Sequence, residues 1–517
     1  MNYPVWELEM GGGLLIALVA VTHVFVSHFA VGGGLFLAVA EARAYRRGDE
    51  ALLAWLKRHS KFFALLTLVF GAMSGVGIWF TIGLVHPAAT SALIHLFVWG
   101  WAIEWVFFFV EIASSLVYAA TWERLDRRTH LAIGWIYFVS AFMSLVVING
   151  ILTFMFTPGH WLVSRSFLDA FFNPTYWPSL VVRTLGCVAF AGLYVLATAW
   201  REPPEHRASL ARYAAWWAIP ATVAGPLAAL IYFRAAPGAF EIGGAIPAAA
   251  HALKLVMVAA VLYAVLLAAV ALLARRRPRL VSLPVGLALL VLGYLSIGSA
   301  EFIRESLRKP FVIGNPSGGY LYVNGLTAPE VEATRQGGLL ARAKWVTPPS
   351  ERVGDDRAAG AQIFRVACRG CHTLGGYRAI RNLVEGKPVD TIATMIRTLE
   401  KRRGHMPPFP GDEGEQRALA RYLASLGGAV EVPAEPSTGE PLAAGKKVME
   451  GFCLSCHVLD GPAQDNPLKP KIKGWSADLA YDNVGKLSKL NAAMIDFDGS
   501  DADRRALAAY LSHLGSE

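Results

Sequence analysis

The sequence is poor in cysteine, poor in charge before residue 300, and lacks a basic segment at its start. Only five of its 517 residues are cysteine. Four stand in two short motifs, and the fifth, Cys187, lies alone in an apolar run, so a disulfide-stapled fold is excluded. Cys187 itself reads as a small buried hydrophobe. Charged residues make up 17% of the chain against 54% apolar. Before residue 300 several runs exceed the roughly 20 apolar residues that span a bilayer, which excludes a wholly soluble protein. The opening stretch MNYPVWELEMGGG has no basic n-region and no small-residue cleavage site, and reads as a retained extracytoplasmic tail rather than a signal peptide. A formal net charge of +9 does not mark a nucleic-acid partner, because Lys and Arg fall mostly in short loops between apolar runs.

Eight apolar segments are predicted, at about 11–40, 61–85, 91–120, 131–157, 176–200, 213–234, 249–274 and 281–307. Alternate connections are basic: Arg43, Arg46, Arg47, Lys57, Arg58 and Lys61, then Arg124, Arg127 and Arg128, then Arg201, Arg207 and Arg212, then 275-RRRPR-279. The others are nearly free of basic residues. The positive-inside rule puts the basic loops in the cytoplasm and, with eight spans, both termini outside it. The expected fold is all-α: a polytopic membrane bundle of about eight spans with both termini periplasmic, in a bacterial inner membrane, followed by small helical domains.

After residue 310 the composition turns polar, and 311–355 reads as a connector rich in turn residues. An internal repeat follows. One copy begins 358-AAGAQIFRVACRGCHTLGG-376 and ends 418-ALARYLASLG-427. The other begins 443-AAGKKVMEGFCLSCHVLDG-461 and ends 506-ALAAYLSHLG-515. The predicted division is 1–310 membrane domain, 311–355 connector, 356–430 first repeat, 431–441 Pro-rich linker and 442–517 second repeat.

Each repeat carries C-x-x-C-H, the attachment signature of a c-type haem. Cys368 with Cys371, and Cys453 with Cys456, would bond the two vinyl groups; His372 and His457 would be the proximal iron ligands. A low-spin carrier commonly takes Met as sixth ligand. Met406 and Met494 are the candidates, each 16 residues before the Tyr of its terminal YL pair, Tyr422 and Tyr510. Over 355–517 the sequence resembles class I cytochrome c, which implies two covalent haems c.

Ionisable groups inside spans are expensive and usually functional. His23 and Glu104 lie about 12 and 13 residues into inward-running spans, roughly 18–20 Å deep. His28 and Glu111 lie deeper and are expected to pair there, either for proton delivery from the cytoplasm or as a structural hydrogen-bonded pair. Glu301 and Glu305 close the last span near its outer end. His95, His160 and Arg183 are expected near the outer surface, and Trp101, Trp105 and Trp135 read as packing or lipid-facing aromatics.

The stretches 17-ALVAVTHVFVSHFAVGGGLFLAVAE-41, 102-AIEWVFFFVEIASSLVYAATWERL-125, 153-TFMFTPG-159 and 304-RESLRKPF-311 resemble the catalytic subunit of cytochrome bd oxidases. The resemblance places His23 at a haem-ligating histidine and Glu104 and Glu111 at two carboxylates, one residue closer together than the family expectation. It makes Glu305 a ligand of a second high-spin haem, supported by Arg308. The expected membrane iron ligands are thus His23, Glu104 and Glu305, with Glu104, Glu111 and His28 serving the chemistry. Two or three non-covalent membrane haems of b or b/d type are implied. The family's histidine in the fifth span is missing here, where the nearest polar residue is Arg183. Met257 matches the other ligand, with His251 the only histidine nearby. The family's long quinol-binding loop is also missing: the connection 235–247 is only about 13 residues.

The resemblance implies a respiratory haemoprotein in which electrons pass from periplasmic c haems to high-spin membrane haems that reduce O2 or another small diatomic. Its rivals are quinol oxidation with export through the c haems, and a non-catalytic electron wire in a larger complex. Expected partners are a periplasmic cytochrome c or similar redox protein, membrane lipid, and a second bd-like subunit or a second copy, with no nucleic acid.

Overall fold

In the computed structural model, residues 6–235, 247–273, 276–308, 322, 326–343, 356–399, 406–428, 441–455, 457–461, 466–491 and 494–516 are described. The chain divides into two compact units. One comprises 14–83 and 90–313. The other comprises 1–13, 84–89 and 314–517. Among the described residues there is no strand, only two isolated bridges.

The apolar half folds into long helices: α1 (Gly12–Arg47), α2 (Glu50–Val85), α3 (Pro87–Leu96), α4 (Val98–Ala120), α5 (Arg127–Phe154), α6 (Tyr176–Ala199), α7 (Pro204–Arg234), α8 (Pro247–Leu273) and α9 (Leu283–Arg308). Seven of them, all but α3 and α8, are long and apolar enough to cross a membrane. The expected seventh span falls in α8, whose apolar stretch among the described residues is Met257–Val270.

Two boundaries differ from the sequence expectation. The second span starts at Glu50, so Lys57 and Arg58 are helical rather than in a loop. Their charges are paired: Arg58 Nη2 donates to both carboxylate oxygens of Glu202 at 2.7 and 2.8 Å, and Lys57 pairs with Glu123. The expected third span is broken at Phe97 into α3 and α4. Acceptor side chains start the helices where the loops are basic. Asp49 accepts from Leu52 N–H and caps α2, and Asp126 accepts from Arg128 and Thr129 N–H and caps α5.

Helix α1 is the hub of the bundle. Its three successive glycines each admit a different neighbour. A Cβ on Gly32 would lie 1.8 Å from the Cys187 carbonyl oxygen of α6. One on Gly33 would lie 2.7 Å from the Phe63 ring of α2, and one on Gly34 2.3 Å from the Tyr137 ring of α5. Phe29, Phe36 and Leu37 of α1, with Trp55 and Leu56 of α2 and Leu193 of α6, are fully buried around this crossing.

In the other unit each repeat closes on its own core. The first packs α10 (Asp356–Ala367) against α11 (Glu413–Leu426), with Ile363, Phe364, Leu419 and Leu423 buried between them. The second packs α12 (Pro441–Phe452) against α13 (Asp501–Ser516) around Met449, Leu507 and Leu511. The glycine of the repeated AAG sits at both crossings. A Cβ on Gly360 would lie 2.2 Å from Ala418 O and 2.6 Å from Tyr422 Cβ. One on Gly445 would lie 2.0 Å from Ala506 O and 2.7 Å from Tyr510 Cβ. The obstructing atoms are backbone carbonyls and Cβ atoms fixed to the backbone, so they cannot swing aside. Gly360→Ala and Gly445→Ala are each expected to destabilise their domain by about 1–3 kcal/mol, the usual overpacking range. A thermal melt followed by haem c absorbance, or by circular dichroism, checks this.

Candidate haem sites

In both repeats the loop after C-x-x-C-H is shaped around its histidine. His372 Nδ1 lies 3.2 Å from Arg378 O, and His457 Nδ1 lies 2.9 Å from Asn466 O. A carbonyl only accepts, so Nδ1 carries the hydrogen and Nε2 is left as the nitrogen that would hold an iron. Arg378 and Asn466 both adopt left-handed backbone, at φ 54° and 59°. Non-glycine residues seldom do so, yet both copies place one where it aims its carbonyl at the histidine of C-x-x-C-H. Burial lowers the basicity of both imidazoles and favours the neutral form that ligates metal. Cys368 and Cys453 are half-buried and Cys371 is exposed; Cys456 lies outside the described residues. Met406 and Met494 are both half-buried.

The amino-terminal segment contacts the first of these loops. Glu9 O accepts from Tyr377 N–H at 2.9 Å, and its carboxylate accepts from Gly375 N–H at 3.2 Å and from Arg369 Nη2 at 3.0 Å. Glu7 pairs with Arg365. The Arg369 side chain is 4% exposed, and its Nη1 has no partner among the described residues. A buried guanidinium nitrogen left over beside Cys368 fits an anionic group such as a haem propionate.

In the membrane unit His23 points from α1 toward α2. Its Nδ1 lies 3.1 Å from Ser74 Oγ, and a Cβ on Gly75 would come within 3.2 Å of its ring. With Nδ1 engaged, Nε2 is the nitrogen that would ligate. Glu104 on α4 accepts from Ser144 Oγ of α5 at 2.8 Å. Glu111, seven residues further and so on the same face, accepts from Tyr137 Oη at 3.1 Å.

The expected pairing of His28 with Glu111 is not among their hydrogen bonds. His28 Nδ1 bonds Val24 O at 2.7 Å, and its ring lies against Gly186 and Phe190 of α6. Arg183, expected near the outer surface, is buried in α6 at 7% exposure. Arg183 donates to Glu301 at 3.3 Å, and Glu301 also accepts from Arg304 Nε at 2.7 Å. One carboxylate thus faces two guanidinium groups, and Arg183 Nε has no partner among the described residues. Trp101 Nε1 is likewise buried without a partner. These leftover donors, together with the oriented His23 and Glu104, fit a bound haem in this unit. Met257 is exposed on α8. The side chains of Glu305, Arg308 and His251 lie outside the described residues.

Sequence reading missed the partners: Ser74 for His23, Ser144 for Glu104, Tyr137 for Glu111. It also missed a second buried carboxylate. Glu41 of α1, fully buried, accepts from Tyr118 Oη of α4 at 2.8 Å and lies 2.8 Å from His130 Nδ1 of α5. The available signal was a polar residue in α4 and in α5 at every seventh position: Glu104, Glu111 and Tyr118 in one, His130, Tyr137 and Ser144 in the other.

Two outcomes follow from these contacts. Glu301→Gln leaves two buried guanidinium groups without their counter-charge, and is expected to cost about 3–5 kcal/mol, read as a lower midpoint in detergent-solubilised thermal unfolding. At Glu9 the hydrogen bond from the Arg369 guanidinium holds the carboxyl below the usual carboxylate range, against an opposing push from burial. Because the folded value is lowered, this tie is fully present above the unfolded value of about 4.3 and is lost as pH falls through the folded one. Protection of the Gly375 amide, taken against its intrinsic exchange rate at the same pH, is expected to fall in Glu9→Gln at neutral pH, and in the unaltered protein only on acidification.

Residues 14–233 match the family profile described as cytochrome bd terminal oxidase subunit I. Residues 355–423 and 440–511 each match the profile of cytochrome c oxidase, cbb3-type, subunit III. The cbb3-type cytochrome c oxidase subunit FixP of Sinorhizobium medicae (strain WSM419) is 35% identical over 120 residues, covering 20% of this chain and 39% of that protein. The chain therefore spans about two-fifths of the length of this relative. The solved bd oxidase from Geobacillus thermodenitrificans superposes with a TM-score of 0.54 at 16% identity, covering 61% of this chain and 90% of that one; it shares the fold. One chain thus joins a domain like cytochrome bd terminal oxidase subunit I, over residues 14–233, to two tandem domains like the cytochrome c of cbb3-type subunit III, over residues 355–423 and 440–511.

Proposed function

We propose that this chain is a cytochrome c-linked terminal oxidase: electrons arrive at the two c domains on the periplasmic side and leave at a membrane haem site where O2, or a similar small diatomic, is reduced. The observation that carries this reading is the polar line on one face of α4, with Glu104 and Glu111 each tied to a hydroxyl of α5. A pure electron wire needs no such line. An oxidase must match each electron delivered to oxygen with a proton, and a carboxyl within hydrogen-bond reach of hydroxyl groups is suited to passing one.

When bound, the membrane haem would supply an iron with an open position, at which the diatomic binds. The residues that would hold it are His23, Glu104 and Glu305, with Arg183, Arg304 and Arg308 toward its carboxylates. Ser74 orients the His23 ring. Ser144 keeps the Glu104 carboxyl turned toward α5 and gives it a second position for its proton. Tyr137 does the same for Glu111 one step deeper. In the c domains Arg378 and Asn466 hold the proximal histidines, and Cys368, Cys371, Cys453 and Cys456 would carry the covalent attachment. Helix α7 ends at Arg234 and α8 begins at Pro247. That short connection leaves no room for a long quinol-binding loop, and it supports entry of electrons through the c domains.

Spectroscopy of the reduced, purified protein tests this. CO is expected to bind a b-type haem, and oxygen uptake is expected with ascorbate-reduced cytochrome c and not with quinol. Uptake from quinol alone would reverse the direction, and a protein with no CO-binding haem would be an electron wire. Glu104→Gln is expected to lower oxygen uptake by about a hundredfold or more while haem c reduction by ascorbate keeps its rate.

A further inference from the structure

Helices α4 and α5 run antiparallel, and their polar residues meet in three rungs: Glu104 with Ser144, Glu111 with Tyr137, and Tyr118 with His130. The spacing is seven residues on each helix at every step. The first two rungs are the hydrogen bonds already described. In the third, His130 Nε2 lies 3.0 Å from Tyr118 O, the two rings meet at a tilt of 31° with centroids 4.4 Å apart, and both side chains bond Glu41. Glu41 and His130 are 0% and 1% exposed. A carboxylate and an imidazole buried together in an apolar bundle are costly, and the oxidase chemistry proposed above does not use this pair where it stands.

Seven residues of helix rise about 10.5 Å, too far for a direct hydrogen bond between rungs. Between the second and third rungs the structure offers a link. Ser115 sits four residues after Glu111 and three before Tyr118, on the same face of α4. Its Oγ is buried and has no partner among the described residues. It lines a cavity of about 10 Å3 together with Tyr118, Tyr137, Gly34, Gly134, Leu37 and Phe63, and that volume is about what one water needs. Gly34 and Gly134 clear the space: a Cβ on them would lie 2.3 Å from the Tyr137 ring and 3.0 Å from the Tyr118 ring. At the other end Tyr45, half-exposed one turn from Glu41 on α1, carries the Arg127 guanidinium 5.2 Å over its ring. This is the end of the bundle with the basic loops.

We infer that Glu41, His130 and Tyr118 form the cytoplasmic intake of a proton relay that reaches Glu111 through Ser115 and a water held beside it. The inference rests on the oxidase reading for its purpose, but not for its geometry. In one passage a proton on the Glu41 carboxyl moves to the Tyr118 oxygen as Tyr118 gives its own proton to the water. The water, sharing its hydrogen bonds with Ser115 Oγ, passes one to the Tyr137 oxygen, and Tyr137 gives its proton to the Glu111 carboxylate. Tyr118, the water and Tyr137 end with the protons they began with. Glu111 has gained one, and Glu41, having lost one, is reloaded from the surface past Tyr45 with His130 holding the shared proton.

Ser115→Ala is the decisive variant, because its hydroxyl makes no bond whose loss would unfold the protein. Glu41→Gln and Tyr118→Phe are the companions. The measurement is proton uptake on anaerobic electrochemical reduction, followed with a pH-indicator dye in weakly buffered detergent solution, beside haem c reduction in the same trace. Proton uptake is expected to slow by at least about tenfold in Ser115→Ala and to show a larger solvent deuterium effect, with haem c reduction unchanged. Unaltered uptake in both Ser115→Ala and Tyr118→Phe overturns the relay, as does unaltered protein that takes up no proton on reduction. Protein that takes up protons on reduction but draws no oxygen from cytochrome c overturns the oxidase reading and leaves the relay standing.

Discussion

A polar side chain inside an apolar bundle has to find its partner inside the bundle, because lipid offers none. The α4–α5 seam meets that requirement three times at a constant interval of seven residues. Interhelical hydrogen bonds in membranes are worth only about 0.6 kcal/mol each on average, so three of them add little to stability. Their effect is on register. Sliding α5 by one residue along α4 would separate Glu104 from Ser144, Glu111 from Tyr137 and Tyr118 from His130 together, each leaving a polar group unsatisfied in hydrocarbon. The seam therefore fixes where α5 stands against α4, and with it the positions of both carboxylates.

Helix α1 locks the same arrangement from the third side. Gly34 accepts the Tyr137 ring, so the residue that holds Glu111 is itself held by the hub. Tyr137 Oη also lies 3.1 Å from Ala30 O, which gives the hydroxyl one fixed acceptor on α1 beside its bond to the carboxylate on α4. Glu41, two helical turns beyond Gly34 on the same helix, ties Tyr118 of α4 and His130 of α5 at the far end. One helix thus sets the geometry of a seam between two others, and a run of three glycines is what lets it come close enough.

Much of this was legible in the chain, and the boundary between what was and what was not is physical. Apolar runs, alternating basic loops and the tandem repeat depend on local composition, and they read directly. Depth in the membrane also reads, because each residue adds a fixed rise. Direction around the helix is harder to use. His23 and His28 are five residues apart, which turns the helix by about 140° between them. His23 therefore faces Ser74 and Gly75 of α2 while His28 faces Gly186 and Phe190 of α6. Equal depth with Glu111 did not make His28 its neighbour. Glu104 and Glu111, seven apart, differ by only about 20° and do share a face. Glu41 escaped notice because it stands near basic residues at the end of a span, where a carboxylate reads as solvated. Its burial comes from Tyr118 and His130, which lie 77 and 89 residues away.

The histidines differ in how their tautomers are set, and that difference follows from the acceptor. In the c domains a backbone carbonyl faces Nδ1, and a carbonyl can only accept. His23 faces a serine hydroxyl, which can donate or accept. Ser74 Oγ, however, also lies within hydrogen-bond reach of Gly71 O, 3.1 Å away, and of Phe70 O in the preceding turn of α2. Its single hydrogen is drawn to that turn, which leaves a lone pair for His23 Nδ1–H. The hydroxyl then acts as a carbonyl would, and all three histidines present Nε2. Such a bond from a serine to the carbonyls three and four residues back is open to any helix, and Gly75, the next residue, leaves the space that the His23 ring fills.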